Sequence, residues 1–251
     1  MEEKLIAISA EETFCFACHS EIPCFNQCCA DLNQFLYPYD ILRLKNHLGL
    51  TSREFLQQHT RQHIGPESGF PVTTLKPADS DRLACPFVSA RGCRVYPARP
   101  ASCRMYPLLR ALSRCRNTGR ITERFFIIKE PHCRGFESDK PVQVKQWLRD
   151  QDLTNYNRFN DKLLELISLK NRRLPGPLDL KAQHLFHLAL YDLDTFRHQL
   201  FDDGFYRHMP VDQQALEAAR NEDTALLKLG IQWVKDSLFG ESDDSGLRSE
   251  D

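Results

Sequence analysis

Apolar residues in the C-terminal half of the chain recur at helical spacing. In TNYNRFNDKLLELISLK, Phe159, Leu163 and Leu166 fall on one face of a predicted helix. The segments PVQVKQWLRDQ and KAQHLFHLALYDLDTFRHQLF, and the run from Asp223 to Phe239, have the same periodicity, and each predicts one further helix. The pattern therefore predicts a mainly α-helical region over residues 141–240.

The N-terminal half predicts short helices and strands between irregular segments. PYDILRLKNHLGL predicts a helix that Asp40 caps and Gly49 ends. Thr51 and Glu54 fit a capping box that starts a second helix, SREFLQQHTRQH. FPVTTLK and RFFIIK are rich in β-branched and aromatic residues, as is typical of strands. The expected fold class is α+β, with a small irregular domain over residues 13–136 that contains a helical pair, followed by the helical region.

The irregular segments contain the most informative residues of the chain. FCFACHSEIPCFNQCC follows neither a helical nor a strand period, and CPFVSARGCRVYPARPASCRMYP has four prolines that interrupt regular structure. All ten cysteines lie between Cys15 and Cys133, and none follows. This segregation suggests that distant parts of the first half converge on shared thiol chemistry.

The expected compartment decides which thiol chemistry is favoured. The opening MEEKLIAISAEETFCF has an acidic start and too short an apolar stretch for a secretory signal, and no segment reaches the length of a membrane helix. We therefore expect a cytoplasmic protein. Disulfides rarely persist in a reducing cytosol, so dense cysteines there favour metal or redox sites.

Charge adds two expectations. The formal net charge of −1 at pH 7 predicts no bulk attraction to nucleic acid or to a membrane, and it favours a packed helical pair over a DNA-reading one. The segment from Cys85 to Arg134 nevertheless has eleven Lys and Arg residues against Glu123 and Glu130. The acidic tail at residues 241–251, ESDDSGLRSED, is expected to be disordered.

The number of cysteines suits tetrahedral thiolate sites. Zinc and iron–sulfur clusters usually take four ligands each, so ten cysteines supply two four-cysteine sites with two to spare. Adjacent residues such as Cys28 and Cys29 do not easily point at one metal, so they more naturally serve two neighbouring sites or bridge a binuclear one. The alternative is that the cysteines are buried thiols that pack as small apolar groups. That explanation suits one or two cysteines better than ten.

The arginines near the second group of cysteines have three interpretations. Four thiolates around Zn²⁺, or around a [4Fe–4S]²⁺ cluster, leave a net charge of −2, which Arg99, Arg104 and Arg134 could offset. Arg99 and Arg104 could instead bind a cofactor or substrate anion. The third interpretation is a solvated basic face.

These motifs together resemble the YkgJ-type cysteine-cluster family, a zinc- or iron-chelating domain. The resemblance covers residues 14–136 and rests on the paired cysteines, DILRLKNHLGLTSREFL, CPF and GCRVYPARPASCRMYP. It implies an iron–sulfur cluster or zinc as the cofactor and a bacterial setting. Cys15 and Cys115 look like additions. The resemblance implies a shared set of eight ligands: Cys18, Cys24, Cys28, Cys29, Cys85, Cys93, Cys103 and Cys133.

Three functional hypotheses follow. The leading one is a metal-binding protein that uses this cluster. The second is a metal-dependent redox or group-transfer enzyme, since the family includes relatives of flagellin N-methylase, although a Gly-rich strand–turn–helix for S-adenosylmethionine is missing. The third is an interaction module in which the metal only stabilises the fold of the first domain and the helical region binds a protein partner.

Overall fold

The chain divides into two compact units, each assembled from two separate stretches of sequence. The computed structural model describes residues 4–30, 33–66, 69–79, 81–114, 120–205 and 211–240. We call Met1–Phe35 with Leu75–Arg158 the cysteine unit, and Leu36–Thr74 with Phe159–Asp251 the helical unit. The predicted regions 13–136 and 141–240 divide the chain differently, because residues 36–74 group with the C-terminal helices. The predicted disordered tail, 241–251, lies outside the described residues.

A three-stranded antiparallel sheet is the most extensive regular structure described in the cysteine unit. The middle strand pairs on both sides, so that Ile127 lies opposite Ile6 in one neighbour and opposite Leu108 in the other. The buried faces of Phe125 and Ile127 explain why the predicted strand RFFIIK forms here. In spatial order the strands are β1 (Lys4–Ile8), β8 (Ile121–Lys129) and β7 (Leu108–Arg114).

The remaining elements of the cysteine unit are short. Prolines at 97, 100 and 107 limit regular structure within the second cysteine-rich stretch, as the sequence predicts. The strands pair as β2 (Thr13–Cys15) with β9 (Pro141–Gln143), and as β5 (Val88–Ser89) with β6 (Gly92–Cys93). The helices are α3 (Ala101–Met105), α4 (Val144–Asp150) and the first turns of α5 (Leu153–Arg173).

An aromatic junction joins the N-terminal cysteines to the segment around Cys133. The Phe16 ring lies 5.1 Å from that of Phe136 and 5.6 Å from that of Trp147, both edge-on. Next to it, the backbone N–H of Ala17 donates to the carbonyl of Gly135 at 3.0 Å. A Cβ at Gly135 would lie 2.5 Å from Phe16 Cε2 and 2.7 Å from Ala17 O, so this approach requires glycine.

The helical unit packs its apolar faces around a core that includes Leu44, Phe55, Phe186, Phe196 and Val234. Together with the cysteine unit it confirms the predicted α+β class. None of the described helices has the length and apolar content needed for a membrane crossing. Its elements are α1 (Pro38–Leu48), α2 (Ser52–His59), β3 (Thr60–Ile64), β4 (Pro71–Leu75), the rest of α5, α6 (Leu180–Leu190), α7 (Leu193–Phe201), α8 (Gln213–Asn221) and α9 (Asp223–Phe239).

The helix ends agree with the sequence in part. Gly49 ends α1 with φ of 66°, and Thr51 and Glu54 form the predicted capping box. Asp40 takes part in the cap as predicted, but from the third position of the helix: α1 begins at Pro38, and the Asp40 carboxylate accepts from the backbone N–H of Tyr37 at 2.9 Å. Asp40 therefore supports the first turn from inside the helix.

Two predicted helices are shorter than their sequence patterns suggest. The segment SREFLQQHTRQH leaves the helix at His59, because Thr60–Ile64 pairs as β3 with β4. The segment KAQHLFHLALYDLDTFRHQLF forms α6 and α7 instead of one helix. The break allows the Asp194 carboxylate to accept from the backbone N–H of Ser52 at 2.6 Å and to lie 3.3 Å from Lys45 Nζ. A tertiary polar contact thus accompanies the interruption of the helical pattern.

Substitution of Gly135 tests the aromatic junction. We expect Gly135→Ala to destabilise the protein by about 1–3 kcal/mol, because the new methyl group overlaps Phe16 and the Ala17 carbonyl. The urea midpoint, followed by tryptophan fluorescence, measures the loss. Asp139→Ala, at an exposed position in the same segment, is the matched control. Equal midpoints for the two variants would contradict the requirement for glycine.

Candidate metal centre

Every described cysteine belongs to the cysteine unit, and none of them forms a disulfide. They come from β2 and the loop that follows it, from the segment before β5, from β6, from α3 and from the turn after β8. Cys115 lies outside the described residues. The described cysteines are Cys15, Cys18, Cys24, Cys28, Cys29, Cys85, Cys93, Cys103 and Cys133.

The loop from Ala17 to Ala30 has no fully buried side chain. Polar contacts hold it instead. The backbone N–H of Arg134 donates to Cys24 Sγ at 3.1 Å, and Asn26 Nδ2 donates to the carbonyl of Ser89 at 3.0 Å. The backbone N–H of Cys85 donates to the carbonyl of Cys29 at 2.8 Å. These contacts join the two cysteine-rich stretches, which are far apart in sequence.

One group of thiols gathers around Cys18. Burial raises the pKa of the Cys18 thiol, and the neighbouring thiols of Cys28, Cys24 and Cys133 raise it further. Cys133 in turn interacts directly with Cys24, and burial raises the pKa of Cys133 as well. The Tyr106 hydroxyl lies beside Cys133. The neutral thiol is thus favoured at Cys18 and at Cys133 in the metal-free chain.

A second group gathers around Cys29. Its contact with Cys28, burial and the thiols of Cys85 and Cys103 raise the pKa of Cys29, while burial and the thiol of Cys93 raise that of Cys85. Burial raises the pKa of Cys85 and of Cys93. The Cys103 thiol donates a hydrogen bond to Gln34 Oε1, with the sulfur and the oxygen 3.6 Å apart. The second group joins the loop, the β5–β6 hairpin and α3.

Backbone amides are aimed at several of these sulfurs. The thiol of Cys85 is hydrogen-bonded by the amides of Phe87 and Val88, that of Cys93 by Val95, and that of Cys133 by Gly135. In all three cases an amide two residues further along the chain takes part. Such hydrogen bonds orient a ligating sulfur and stabilise its thiolate. The surroundings of these cysteines therefore suit metal ligands better than inert core thiols.

Cys28 and Cys29 form a hydrogen-bonded pair at the 3₁₀ turn Gln27–Cys29. The Cys29 thiol donates to Cys28, which lowers the pKa of Cys28 to about 7, and the same contact raises the pKa of Cys29. Cys28 is exposed. It is therefore the reactive member of the pair in the metal-free chain.

The three arginines predicted near the site have different roles in the structure. Arg104 is buried, and its Nε, Nη1 and Nη2 donate to the carbonyls of Arg99, Gln151 and Pro97. Arg134 pairs through its side chain with Glu137. The Arg99 guanidinium stacks 3.7 Å above the Tyr96 ring and acts electrostatically on Cys18, Cys93 and Cys103. Of the three, Arg99 has the clearest electrostatic link to several of the thiols.

The donor chemistry fits a soft metal, because thiolates select zinc, iron–sulfur or copper(I) over harder cations. In the part of the chain that the structure describes, the Cys, His and acidic side chains do not form a closed group of three or more that could hold an ion. The thiols interact in pairs, and backbone N–H groups donate to those of Cys85, Cys93 and Cys133.

Comparison with known families gives one similarity for this region. Residues 17–134 match the family model CxxCxxCC, described as a putative zinc- or iron-chelating domain. The match confirms the resemblance to the YkgJ-type cysteine-cluster family. No curated protein and no solved structure gives a significant match to the chain.

Sequence reasoning missed three residues around the thiols of the cysteine unit. Gly135 fixes the approach of the N-terminal loop, Tyr106 lies beside Cys133, and Gln34 contacts Cys103. A glycine two residues after a cysteine was a usable signal, since it permits a close backbone approach. Tyr106 and Gln34 had no such signal, because only the fold brings them to the sulfurs.

The Cys28–Cys29 pair predicts selective alkylation of the reduced, metal-free chain. At pH 7 about half of Cys28 is thiolate if its pKa is about 7, against a few per cent for an ordinary thiol. We expect iodoacetamide to modify Cys28 several-fold faster than exposed Cys15, measured by peptide mass spectrometry. Cys29→Ala removes the donor and should slow Cys28 toward the rate of Cys15. An unchanged rate in that variant would contradict the paired arrangement.

Proposed function

We propose that the cysteine unit binds zinc or an iron–sulfur cluster through thiolates, in a cytoplasmic protein. The observation that carries the proposal is the convergence of thiols from separate segments, with backbone N–H groups already directed at several sulfurs. The match of residues 17–134 to the model of a putative zinc- or iron-chelating domain supports the same chemistry. The proposed ligands are Cys18, Cys24, Cys28, Cys29, Cys85, Cys93, Cys103 and Cys133.

The energetic reason for a metal lies in the N-terminal loop. From Ala17 to Ala30 no side chain is buried, so the hydrophobic effect contributes little to its position. Metal–thiolate bonds can supply this folding free energy in small irregular domains. The raised pKa values of Cys18, Cys85, Cys93 and Cys133 imply that binding releases protons and strengthens as the pH rises.

The arginine contacts favour this function over an anion-binding enzyme site. The buried Arg104 directs its Nε and both terminal nitrogens to backbone carbonyls, which ties α3 to neighbouring loops. Arg99 donates to the Tyr96 carbonyl at 2.8 Å and to Gln151 Oε1. Both guanidinium groups are thus held by the protein itself, and Arg99 acts as a cation beside the thiols.

Metal analysis of cysteine variants tests the proposed function. We expect Cys103→Ser to lose at least half of the metal of the wild-type chain, because it removes a proposed ligand. Cys15→Ser, which removes an exposed cysteine from outside the proposed set, should keep the wild-type content. The measurement is metal and acid-labile sulfide per chain in anaerobically purified protein.

The same measurement separates the two metals. About four iron and four sulfide per cluster, with a broad band near ~400 nm, would identify [4Fe–4S]. A colourless protein with zinc would identify closed structural sites. Wild-type metal content in Cys103→Ser, or a chain purified anaerobically without metal, would contradict the proposal.

A further inference from the structure

A cleft in the helical unit has imidazole groups on both of its walls. It lies between β3, the start of β4 and the first two turns of α6, and its volume is about 440 Å³. His63 and Gln62 line it from β3, and Gln183, His184 and His187 line it from α6. His184 and His187 share a face of α6 because they are three positions apart. The cleft therefore gathers three histidines that the proposed metal site does not use.

The imidazoles are the side chains of this cleft that can donate hydrogen bonds to a ligand. The two amide nitrogens already have acceptors in the protein. Gln183 Nε2 donates to the Leu178 carbonyl at 2.7 Å, and Gln62 Nε2 donates to a threonine hydroxyl at 3.5 Å. Each imidazole carries one N–H donor when it is neutral and two when it is protonated. Carboxylate oxygens accept such bonds, so the lining suits a ligand that carries carboxylates.

The chain around α6 carries an excess of positive charge. Residues 170–187 contain one acid, Asp179, and four cations: Lys170, Arg172, Arg173 and Lys181. The Asp179 carboxylate is engaged in the helix itself, since it accepts from the backbone N–H of Ala182 at 2.7 Å and caps α6. Lys181, in the first turn of α6, is exposed. These surroundings favour an acidic ligand over a neutral or basic one.

We propose that this cleft binds the acidic segment at residues 241–251 of the same chain. The segment, ESDDSGLRSED, has five acidic residues and one arginine, and it lies outside the described residues. It follows α9, which belongs to the same unit as the cleft. A polar segment without a core of its own can order when it meets a complementary surface. This inference is independent of the proposed metal binding.

The acidic segment is long enough to reach the cleft from the end of α9. Arg173 Nη1 donates to the Phe239 carbonyl at 2.7 Å, so α9 ends beside the end of α5. Leu180, which lines the cleft, follows Arg173 by seven residues and therefore lies at most about 25 Å away. The separation is shorter than this limit, because Lys170 donates to the Gly176 carbonyl and folds the segment back. The twelve residues that follow Phe239 span about 40 Å when they are extended.

Attachment to the same chain makes a weak contact sufficient. A short flexible tether keeps the segment near the cleft at an effective concentration in the millimolar range, so a site of modest affinity is occupied most of the time. A separate acidic peptide would need a comparable concentration in solution to compete. Contacts between exposed charges are screened by salt, so high ionic strength should release the segment.

Chemical labelling of histidines in the full-length chain tests the proposal. Diethyl pyrocarbonate modifies accessible imidazoles, and peptide mass spectrometry gives the rate at each histidine. We expect His63 and His184 to react several-fold faster when the segment is neutralised, because the neutral segment leaves the cleft. The variant for this comparison carries Asp243→Asn, Asp244→Asn, Glu250→Gln and Asp251→Asn.

Three controls accompany the labelling. His198, exposed on α7 and outside the cleft, should react at the same rate in both chains. Lys181→Glu should expose His63 and His184 as the neutralised segment does, whereas Lys228→Glu, at an exposed position of α9, should leave their rates unchanged. Equal rates at His63 and His184 in the wild-type chain and in the neutralised variant would overturn the proposal.

Carbodiimide coupling identifies the occupant of the cleft. The reagent joins an amine to a carboxylate in contact with it, and a mixture of isotope-labelled and unlabelled protein separates links within one chain from links between chains. We expect Lys181 to be linked to an acid of residues 241–251 in the same chain. Lys181→Arg keeps the charge and removes the amine, so it should abolish the link. Links between chains alone, or no link from Lys181 to this segment, would overturn the assignment.

Discussion

The position of the N-terminal cysteine loop depends on contacts other than a hydrophobic core. Between Ala17 and Ala30 the chain buries no side chain, yet it contributes four of the proposed ligands. The loop is attached at one end by the packing of Phe16 against Gly135. At the other end it is attached by the backbone hydrogen bond from the Cys85 N–H to the Cys29 carbonyl. The arrangement of the thiols follows from these two attachments, because they set which sulfurs the intervening turns can reach.

Local signals in the sequence predicted local structure well. Gly49 and the Thr51–Glu54 box act within a few residues, and the structure confirms both. The strand Thr60–Ile64 and the break before Leu193 were missed, because each depends on a partner that is distant in sequence: β4 in the first case, Ser52 and Lys45 in the second. Periodicity cannot report such partners.

At the candidate site, too, the sequence pattern did not report contacts between residues that are distant in sequence. The motif was enough to recognise a resemblance to a known family and to propose which cysteines matter. Spacing did not reveal which cysteines lie close together, since Cys24 interacts with Cys133 across 108 intervening residues. The role of Arg104 was also hidden, because its three carbonyl acceptors are brought together only by the fold.

The interrupted order of the two units has a consequence for the unfolded chain. The 55 residues between Cys29 and Cys85 include Leu36–Thr74, which belongs to the helical unit. A metal bound by both cysteines, as proposed, would close this stretch into a loop, as a disulfide would. A cross-link of that length removes conformational entropy worth about 4 kcal/mol from the unfolded chain. Such a metal would therefore stabilise the helical unit through chain connectivity, without any ligand there.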